Sequence, residues 1–366
     1  TTIEPLMAEV GAYDNSEKFG RADRGAAYAL HARLALNSEV YTDGKVKDYQ
    51  KAIDYCDKII NSGKYDLCRT EKNGYSGYQQ LFMGDNDCNP EAMKEIIFPI
   101  RQDGLKARAY AGTTYLVSAS TIAGMPYAST GDPWKCMFAR ENMVEKFFPN
   151  KKDIPMATVG DVLKNPSKEE VIAKDSEKGY GTADVIAKAG DDRALLYMGV
   201  GGCEEGKVRT INPGEAITGP LNGASFVKWS NLHADGTTQH DQNYSDTDFP
   251  VFRLAEIYLT RAEAKYRLGQ DGLDDILKVQ DRANRVSKAT SVDEQTLIDE
   301  WCREFYMEGR RRSDLVRFGL FTGSKYLWSY KGGAENGAGI PAYYDVYPIP
   351  DNEIKNNPNM HQNPKY

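Results

Sequence analysis

The sequence predicts a mostly α-helical fold in which helical pairs support a long, irregular, loop-rich part with a few short strands. Apolar side chains recur at helical spacing near both ends of the chain, whereas the segment 70–250 is rich in Gly, Asn, Asp and Tyr. Hydrophobic residues make up 40% of the chain and charged residues 27%, which is typical of globular proteins. No run of about 18 apolar residues occurs, so no membrane-spanning helix is predicted.

The first helical pair is predicted between residues 21 and 63. A turn at Asp43-Gly44 joins RADRGAAYALHARLAL to DYQKAIDYCDKIINSGKY, which ends at Gly63 because glycine commonly follows the last residue of a helix. The pair spans roughly 34 to 40 residues, the size of a tetratricopeptide unit. The apolar stripe of its first helix consists of Ala27, Leu30, Leu34 and Ala35.

A second helical pair begins at residue 251. VFRLAEIYLTRAEAKYRLG ends at Gly269, and LDDILKVQDRANRV follows. A third helical block, VDEQTLIDEWCREFYMEGRRRSDLVRFG, has its stripe at Leu297, Trp301 and Phe305. Because one helical pair cannot bury its own apolar face, such pairs stack on one another. The sequence therefore predicts a scaffold of tetratricopeptide-like helical pairs.

The middle of the chain is predicted to pack on this scaffold and to carry the ligand site. Two short runs are strand-like, EIIFPI at 95–100 and SFVKWSN at 225–231. Long ordered loops carry function more often than the scaffold beneath them. We therefore divide the chain into a first helical part at 1–69, an irregular ligand-binding excursion at 70–250 and a C-terminal helical part at 251–366, within one integrated domain.

Charge and motif content exclude several classes of function. Lys and Arg number 46 and Asp and Glu 53, which gives a net charge of −7. Nucleic acids and anionic membrane surfaces both require clustered basic charge, so neither is an expected partner. The six cysteines show no metal-type spacing, and Cys56 and Cys302 lie in helical patterns as small core residues. The sequence contains no GxSxG, P-loop or dinucleotide-binding motif.

Three segments, in this order, resemble proteins of the SusD/RagB family. RGAAYALHARLAL with DYQKAIDYCDKIINSGKYDL resembles their first helical pair, and FPVFRLAEIYLTRAEA resembles their later repeat. REFYMEGRRRSDLVRFG with YPIPDNEIKNNPNMHQNPKY resembles their C-terminal signature and tail. EIIFPIRQDG and the segment at Asp192-Arg193 also look like family positions. The resemblance spans nearly the whole chain and is loosest in the middle.

The resemblance implies a surface-exposed lipoprotein of the bacterial outer membrane that captures oligo- or polysaccharides and is not an enzyme. No cofactor or metal is expected from the sequence. The implied partner is a SusC-like TonB-dependent transporter, and membrane contact would occur only through a lipid anchor absent from this chain. Family members have a longer N-terminal part that starts with a lipid-modified Cys. Because the first cysteine here is Cys56, inside a predicted helix, and no signal peptide precedes it, we expect an N-terminally trimmed form.

A glycan-binding site is predicted in the segment 101–138. The C–H face of a sugar ring stacks on aromatic side chains, and its hydroxyls bond to groups such as Asp and Arg. Three glycines make this segment loop-like, and the resemblance also implies that ligand-binding aromatic residues lie in the middle of the fold. No catalytic residue is predicted. The candidate glycan-binding residues are Arg108, Tyr110, Tyr115, Tyr127, Asp132 and Trp134.

Three other features are predicted to be structural. The run Arg310-Arg311-Arg312 should form an ion network in which Glu308 pairs with Arg312, four residues later. Trp229 is predicted to be a core residue on a sheet face. A second aromatic cluster is predicted to pack the C-terminal tail on the helices, and it comprises Trp328, Tyr330, Tyr343 and Tyr344.

The segment 233–248, HADGTTQHDQNYSDTD, is predicted to be a solvated loop rather than a metal site. The pattern that begins at Asp241 is similar to the start of a calcium-binding loop. However, Asp246 stands where that loop needs glycine, and Phe252 stands where it needs the closing glutamate.

Two alternative functions stay open on the sequence. A tetratricopeptide-type module would bind a protein or peptide on a concave helical face, and the loop aromatic residues would then be idle. A glycoside hydrolase would need a pair of carboxylates, which is defined by distance and not by sequence spacing. Aromatic-to-alanine variants would separate glycan capture from the first alternative, and the release of shorter products would identify the second.

Overall fold

The computed structural model describes residues 2–13, 17–126, 129–212 and 221–366 and is mostly helical, as predicted. None of the helices within these ranges has the length and apolar run that crossing a bilayer requires. The α-helices are α1 (Arg24–Leu36), α2 (Ser38–Tyr41), α3 (Tyr49–Ile60), α4 (Gly77–Gln80), α5 (Pro90–Glu95), α6 (Thr113–Ala119), α7 (Glu141–Val144), α8 (Lys168–Lys178), α9 (Thr182–Ala189), α10 (Leu254–Arg267), α11 (Leu273–Arg282), α12 (Glu294–Phe305), α13 (Arg311–Arg317) and α14 (Asp351–Asn356). The strands are β1 (Ile96–Ile100), β2 (Phe138–Ala139), β3 (Leu196–Tyr197), β4 (Ala224–Phe226) and β5 (Phe249–Arg253).

The predicted first helical pair is formed by α1 and α3. Helix α1 begins after Asp23, whose side chain accepts a hydrogen bond from the Ala26 backbone N–H at 3.0 Å and so caps the helix. The two helices meet through small side chains, because Ala32 of α1 and Ala52 and Cys56 of α3 are at most 1% exposed. Small residues at the contact allow the two helix axes to approach closely.

The predicted apolar stripe of α1 is wrong in part. Ala35 is buried as expected, but Leu30 and Leu34 are 47% and 46% exposed. The buried face is instead the alanine face that contains Ala29 and Ala32. Leucine side chains at this contact would hold α1 away from α3, so the helix turns its smallest side chains inward.

The second helical pair, α10 and α11, is confirmed and shares a core with the first. Helix α10 packs against both α3 and α11. Ala262 of α10, Ile276 of α11 and Trp301 of α12 belong to the same buried cluster as the residues of α1 and α3. The helical parts at the two ends of the sequence therefore form one continuous core.

The two ends of the irregular middle part are held together by a strand pair. Strand β1 runs antiparallel to β5, with Phe98 opposite Phe252. The strand predicted in EIIFPI is thus confirmed. A second sheet has the order β2-β4-β3. The strand predicted in SFVKWSN is shorter than expected and ends at Phe226, whereas Trp229 is a core residue as predicted and is 3% exposed.

A buried ionic network joins the middle part to the helical scaffold. Glu304 of α12 is fully buried and accepts hydrogen bonds from Arg193 (3.0 Å), Arg253 (2.5 Å) and Arg282. Glu95 at the end of α5 pairs with Arg253 and Arg282 at 3.2 Å. Burial alone would raise the pKa of Glu304, but the three guanidinium charges hold it well below its usual range. The loop before β3, the strand β5 and the helix α11 therefore meet at one carboxylate of α12.

The predicted ion pair between Glu308 and Arg312 does not form. Glu308 points into the network and accepts a hydrogen bond from Lys228 at 2.5 Å. The reason is local, because Met307 and Gly309 both have positive φ angles, of 59° and 73°, which interrupt the chain between α12 and α13. Residues 308 and 312 therefore do not share a helical face, and the spacing rule for helix pairs does not apply.

Candidate functional site

Polar side chains fix the start of the predicted binding loop. After β1, the backbone N–H of Gln102 donates to Asp248 Oδ1 at 2.7 Å. The side-chain oxygen of Gln102 in turn accepts the backbone N–H of Thr113, at the start of α6, at 2.9 Å. The hydroxyl of Thr113 donates to the carbonyl of Thr247 at 2.7 Å. These contacts, which we call the polar clasp, hold the loop 101–112 against the loop that precedes β5.

The segment that contains Trp134 is fixed against the C-terminal end of α6. The backbone N–H of Trp134 donates to the carbonyl of Ser118 at 2.8 Å, and that of Cys136 donates to the carbonyl of Ala119 at 2.9 Å. The last carbonyls of a helix have no partner within the helix. Here the backbone N–H groups of the following segment bond to them and hold that segment in place. The indole of Trp134 is thereby placed next to the helix.

Four aromatic side chains form a cluster at this place, which we call the aromatic platform: Tyr110, Tyr115, Trp134 and Tyr244. The ring centres of Tyr110 and Tyr115 lie 6.1 and 5.8 Å from that of Trp134, and Tyr244 lies 4.8 Å from Tyr110. Neighbouring rings are tilted by 38° to 58° against each other. Tyr110 is 57% exposed and Tyr115 42% exposed. The platform thus presents large apolar faces to solvent, held in defined orientations.

Charged side chains border the platform. Asp132 accepts a hydrogen bond from the indole N–H of Trp134 at 2.9 Å, and the guanidinium of Arg108 lies 5.0 Å above the ring of Tyr244. A hydrogen bond with Tyr244 raises the pKa of the Tyr110 hydroxyl. The border therefore offers a cation, a carboxylate and phenol hydroxyls to a polar ligand that lies on the rings.

Five of the six residues predicted to bind glycan meet here: Arg108, Tyr110, Tyr115, Asp132 and Trp134. Tyr127 lies outside the described residues. Their role as a binding site stays a prediction, since the structure shows only their positions. The sequence analysis missed Tyr244, which enters from a segment more than a hundred positions later. No local pattern marks this tyrosine, and long-range hydrogen bonds, such as that from the Ser245 backbone N–H to the Thr114 hydroxyl at 3.0 Å, bring its segment to the platform.

The prediction of a solvated loop at 233–248 is wrong for its last four residues, 245–248, which are buried. Asp246 and Asp248 are at most 3% exposed. The side chain of Asp246 accepts the backbone N–H of His240 at 2.9 Å, and the backbone N–H of Asp246 donates to the side-chain oxygen of Asn231 at 2.7 Å. His233 Nε2 lies 3.0 Å from Asp246 Oδ2, and this contact raises the pKa of His233. The loop is therefore an internally bonded support for Tyr244.

Asp248 is the most deeply buried carboxyl of this loop. Burial raises its pKa to about 8, although the Nε atom of Arg101 lies 2.8 Å from Asp248 Oδ2. Asp87 and Asp103 add negative charge nearby and so oppose the lowering effect of the arginine on this pKa. Among residues 2–13, 17–126, 129–212 and 221–366, no group of three or more His, Cys, Asp or Glu side chains is arranged to hold a metal ion.

The second aromatic cluster packs only partly as predicted. Trp328 stacks on Phe321 with ring centres 5.9 Å apart, next to α13. Tyr343 and Tyr344 stack on each other at 4.4 Å and pack against Tyr366. The tail thus contacts itself as well as α13, and Tyr344 stays 41% exposed.

The arginine run has internal partners, in line with a structural role. Arg310 pairs with buried Glu256, Arg311 donates to the carbonyl of Ile298 at 2.7 Å, and Arg312 donates to the carbonyl of Tyr344 at 2.6 Å. These contacts connect α10, α12, α13 and the C-terminal tail.

Comparison with known proteins gives a consistent result. A profile of the SusD family matches residues 94–366. The starch-binding protein SusD of Bacteroides thetaiotaomicron is 52% identical over 353 residues, which cover 95% of this chain and 61% of that protein. The chain thus spans about three-fifths of the length of this curated relative.

Solved structures show the same fold at low sequence identity. Surface glycan-binding protein A from Bacteroides thetaiotaomicron superposes with a TM-score of 0.62 at 19% identity, over 98% of this chain and 67% of that chain. Its complex with laminarihexaose superposes with a TM-score of 0.60 at 18% identity, over 98% and 66% of the two chains.

Proposed function

Because the chain belongs to the SusD family, we propose that it captures a polysaccharide of the starch type at the bacterial cell surface by reversible binding to the aromatic platform. The observation that carries this proposal is the exposed platform itself, with Trp134 at its centre and Asp132 and Arg108 at its border. The relative that is 52% identical is named as a starch-binding protein, which supports starch as the first ligand to test.

The platform has the physical properties that glycan binding requires. A sugar ring is apolar on its C–H faces and polar at its edge, so it needs an exposed aromatic face with hydrogen-bonding groups beside it. Tyr110 and Tyr115 supply exposed faces, and their tilts relative to Trp134 suit a ligand that curves. The net charge of −7 gives no electrostatic advantage to an anionic polymer, so a neutral glycan is the better match.

We propose capture without cleavage. The carboxylate at the border, Asp132, is exposed and accepts the indole N–H of Trp134 at 2.9 Å, so it helps to orient the ring. Binding alone gives a cell no nutrient, and family membership therefore supports a second step, in which the ligand passes to a TonB-dependent transporter of the outer membrane. In this scheme the chain is the extracellular binding subunit of a lipid-anchored surface protein.

Calorimetry and affinity electrophoresis against starch, laminarin, dextran and xylan test the proposal. We expect starch to bind with a dissociation constant in the micromolar range or weaker, that is about −8 kcal/mol or less favourable. Trp134→Ala should weaken binding at least about tenfold, the effect of losing roughly 1.4 kcal/mol at one contact. Thin-layer chromatography after long incubation should show no shorter products.

Tyr266→Ala is the matched control, because Tyr266 is 36% exposed on α10 and lies outside the platform. It should bind starch like the unmodified protein. Equal starch binding by Trp134→Ala would place the site elsewhere, no binding to any polysaccharide of the panel would refute glycan capture, and shorter products would identify a hydrolase.

A further inference from the structure

A cavity lies in the C-terminal part of the fold, and none of its lining residues belongs to the aromatic platform. Its volume is about 380 Å³, within the range of ligand pockets. The floor is apolar, with Leu315 buried and Cys302 Sγ 3.7 Å from Met143 Sδ. The aromatic walls are Phe321, Tyr326 and Trp328.

The aromatic walls are preformed. The ring centre of Trp328 lies 5.9 Å from that of Phe321 and 6.4 Å from that of Tyr326. The ammonium group of Lys331 lies 4.5 Å from the Trp328 ring and donates to the carbonyl of Tyr326 at 2.6 Å. The hydroxyl of Tyr326 accepts a hydrogen bond from Arg311 at 2.7 Å. An occupant would therefore meet walls that need no rearrangement, which lowers the entropic cost of binding.

The charged groups that line the cavity are all cations. Arg140, Arg311 and Arg312 line it, and among the described lining residues none is Asp or Glu. The side-chain oxygen of Asn142 is already engaged, because it accepts hydrogen bonds from the N–H of Ser329 at 3.0 Å and from its hydroxyl at 3.2 Å. Sugar hydroxyls need acceptors as well as donors, whereas a carboxylate needs only donors. The cavity thus fits an apolar group flanked by carboxylates better than a neutral glycan.

The surface around the cavity fits a protein better than a small free ligand. The guanidinium of Arg312 lies between the rings of Tyr347 at 3.8 Å and Phe321 at 4.8 Å, so the cavity continues onto the tail. On this tail Tyr347 is 68% exposed and Val346 50%, and Leu327 beside the cavity is 41% exposed. Exposed apolar side chains beside a cavity are typical of an interaction site, and Trp, Tyr, Phe, Met and Arg are the residues enriched in protein interfaces.

We infer that this cavity is a docking site for an acidic segment of a partner protein, which inserts one aromatic side chain against Trp328 and places its carboxylates on Arg312 and Arg140. The inserted ring contacts the apolar floor, and the charges at the rim set the orientation of the segment. This interaction is separate from glycan capture and does not depend on it.

The first test uses three acetylated hexapeptides and calorimetry at low ionic strength. The probe is Gly-Asp-Phe-Asp-Glu-Gly, one control has serine in place of phenylalanine, and the other has lysine in place of each acidic residue. We expect the probe to bind at least about tenfold more tightly than either control, and about 0.5 M salt to weaken it, because rim charges are screened. Equal binding of the three peptides would overturn the inference without any change to the protein.

The second test locates the peptide. Arg312→Gln and Trp328→Ala should each weaken binding of the probe about tenfold. Trp134→Ala, on the aromatic platform, is the matched tryptophan control and should bind the probe like the unmodified protein. Both cavity variants should still bind starch if they are folded. Probe binding that folded Arg312→Gln and Trp328→Ala retain in full would overturn the assignment of this cavity.

Discussion

Removing the charge of one carboxylate should destabilise the whole fold, because Glu304 holds three arginines from different parts of the chain. Arg193 precedes β3, Arg253 ends β5 and Arg282 ends α11, and all three donate to the side chain of Glu304. Its neutral isostere is made by Glu304→Gln. The substitution keeps the volume of the side chain, so the change acts through charge and hydrogen bonding and not through a cavity.

The expected cost is large relative to the stability of a protein. Glu304 and all three arginines are at most 2% exposed, so water cannot replace the lost charge. Removing one partner of a buried ion pair costs about 3 to 5 kcal/mol, because the remaining charges stay buried without compensation. Glu95 and Glu300 also contact these arginines and offset part of the loss, so we expect about 3 kcal/mol. The free energy of unfolding of a typical domain is only about 5 to 15 kcal/mol.

Urea unfolding followed by tryptophan fluorescence and circular dichroism measures the change. The matched control is Glu177→Gln, because Glu177 is 60% exposed and pairs with Lys174 on the surface at 3.1 Å. Such a pair contributes little, so the control should stay within about 0.5 kcal/mol of the unmodified protein. A Glu304→Gln variant that also stays within about 0.5 kcal/mol would refute the view that the network joins the middle part to the scaffold.

Three further predictions follow from single contacts. Ala32→Leu, at the contact of α1 with α3, should cost about 1 to 3 kcal/mol of stability by overpacking, and thermal unfolding should show no such loss for Ala27→Leu on the less buried side. Burial would raise the pKa of Glu256, but the charges of Arg310 and Arg33 lower it from 4.5 to about 2. The ionised carboxylate therefore contributes to stability above pH 4.5, and this contribution is lost as the pH falls toward 2. The urea midpoint of Glu256→Gln should vary less across this pH window than that of the unmodified protein. Tyr244→Ala should weaken starch binding about tenfold in calorimetry and Tyr244→Phe less than about threefold, because the ring face is kept; equal effects would assign the role to the hydroxyl.

The helical scaffold could be predicted because its signals are local. Turn glycines and apolar spacing mark both helical pairs, and each pair lies within one short stretch of sequence. The buried face of α1 could not be predicted from hydrophobicity, because Leu30 and Leu34 are more hydrophobic than the alanines that are buried. The short distance between α1 and α3 leaves room only for small side chains, and this distance is not visible in the sequence. The pairing of Glu308 failed for a similar reason, since the spacing rule assumes a helix that Gly309 interrupts.

The candidate site was predictable to the extent that it is contiguous. Tyr110, Tyr115 and Trp134 come from one loop–helix–loop segment, and the turn of chain at the end of α6 necessarily brings them near one another. Tyr244 is brought in by hydrogen bonds between polar side chains and distant backbone groups, such as that from Thr113 to the carbonyl of Thr247. Such contacts have no sequence spacing and therefore leave no pattern.

One short stretch of chain connects the ionic network with the aromatic platform. At its C-terminal end, β5 carries Arg253 into the network around Glu304. Just before its N-terminal end, Asp248 and Thr247 form the polar clasp that holds both loops of the platform. Because β5 is also paired with β1, from which the loop 101–112 departs, the strand pair fixes the spacing of both loops at once. The buried charges therefore help to position the aromatic platform, since they hold the strand next to which both of its loops are fixed.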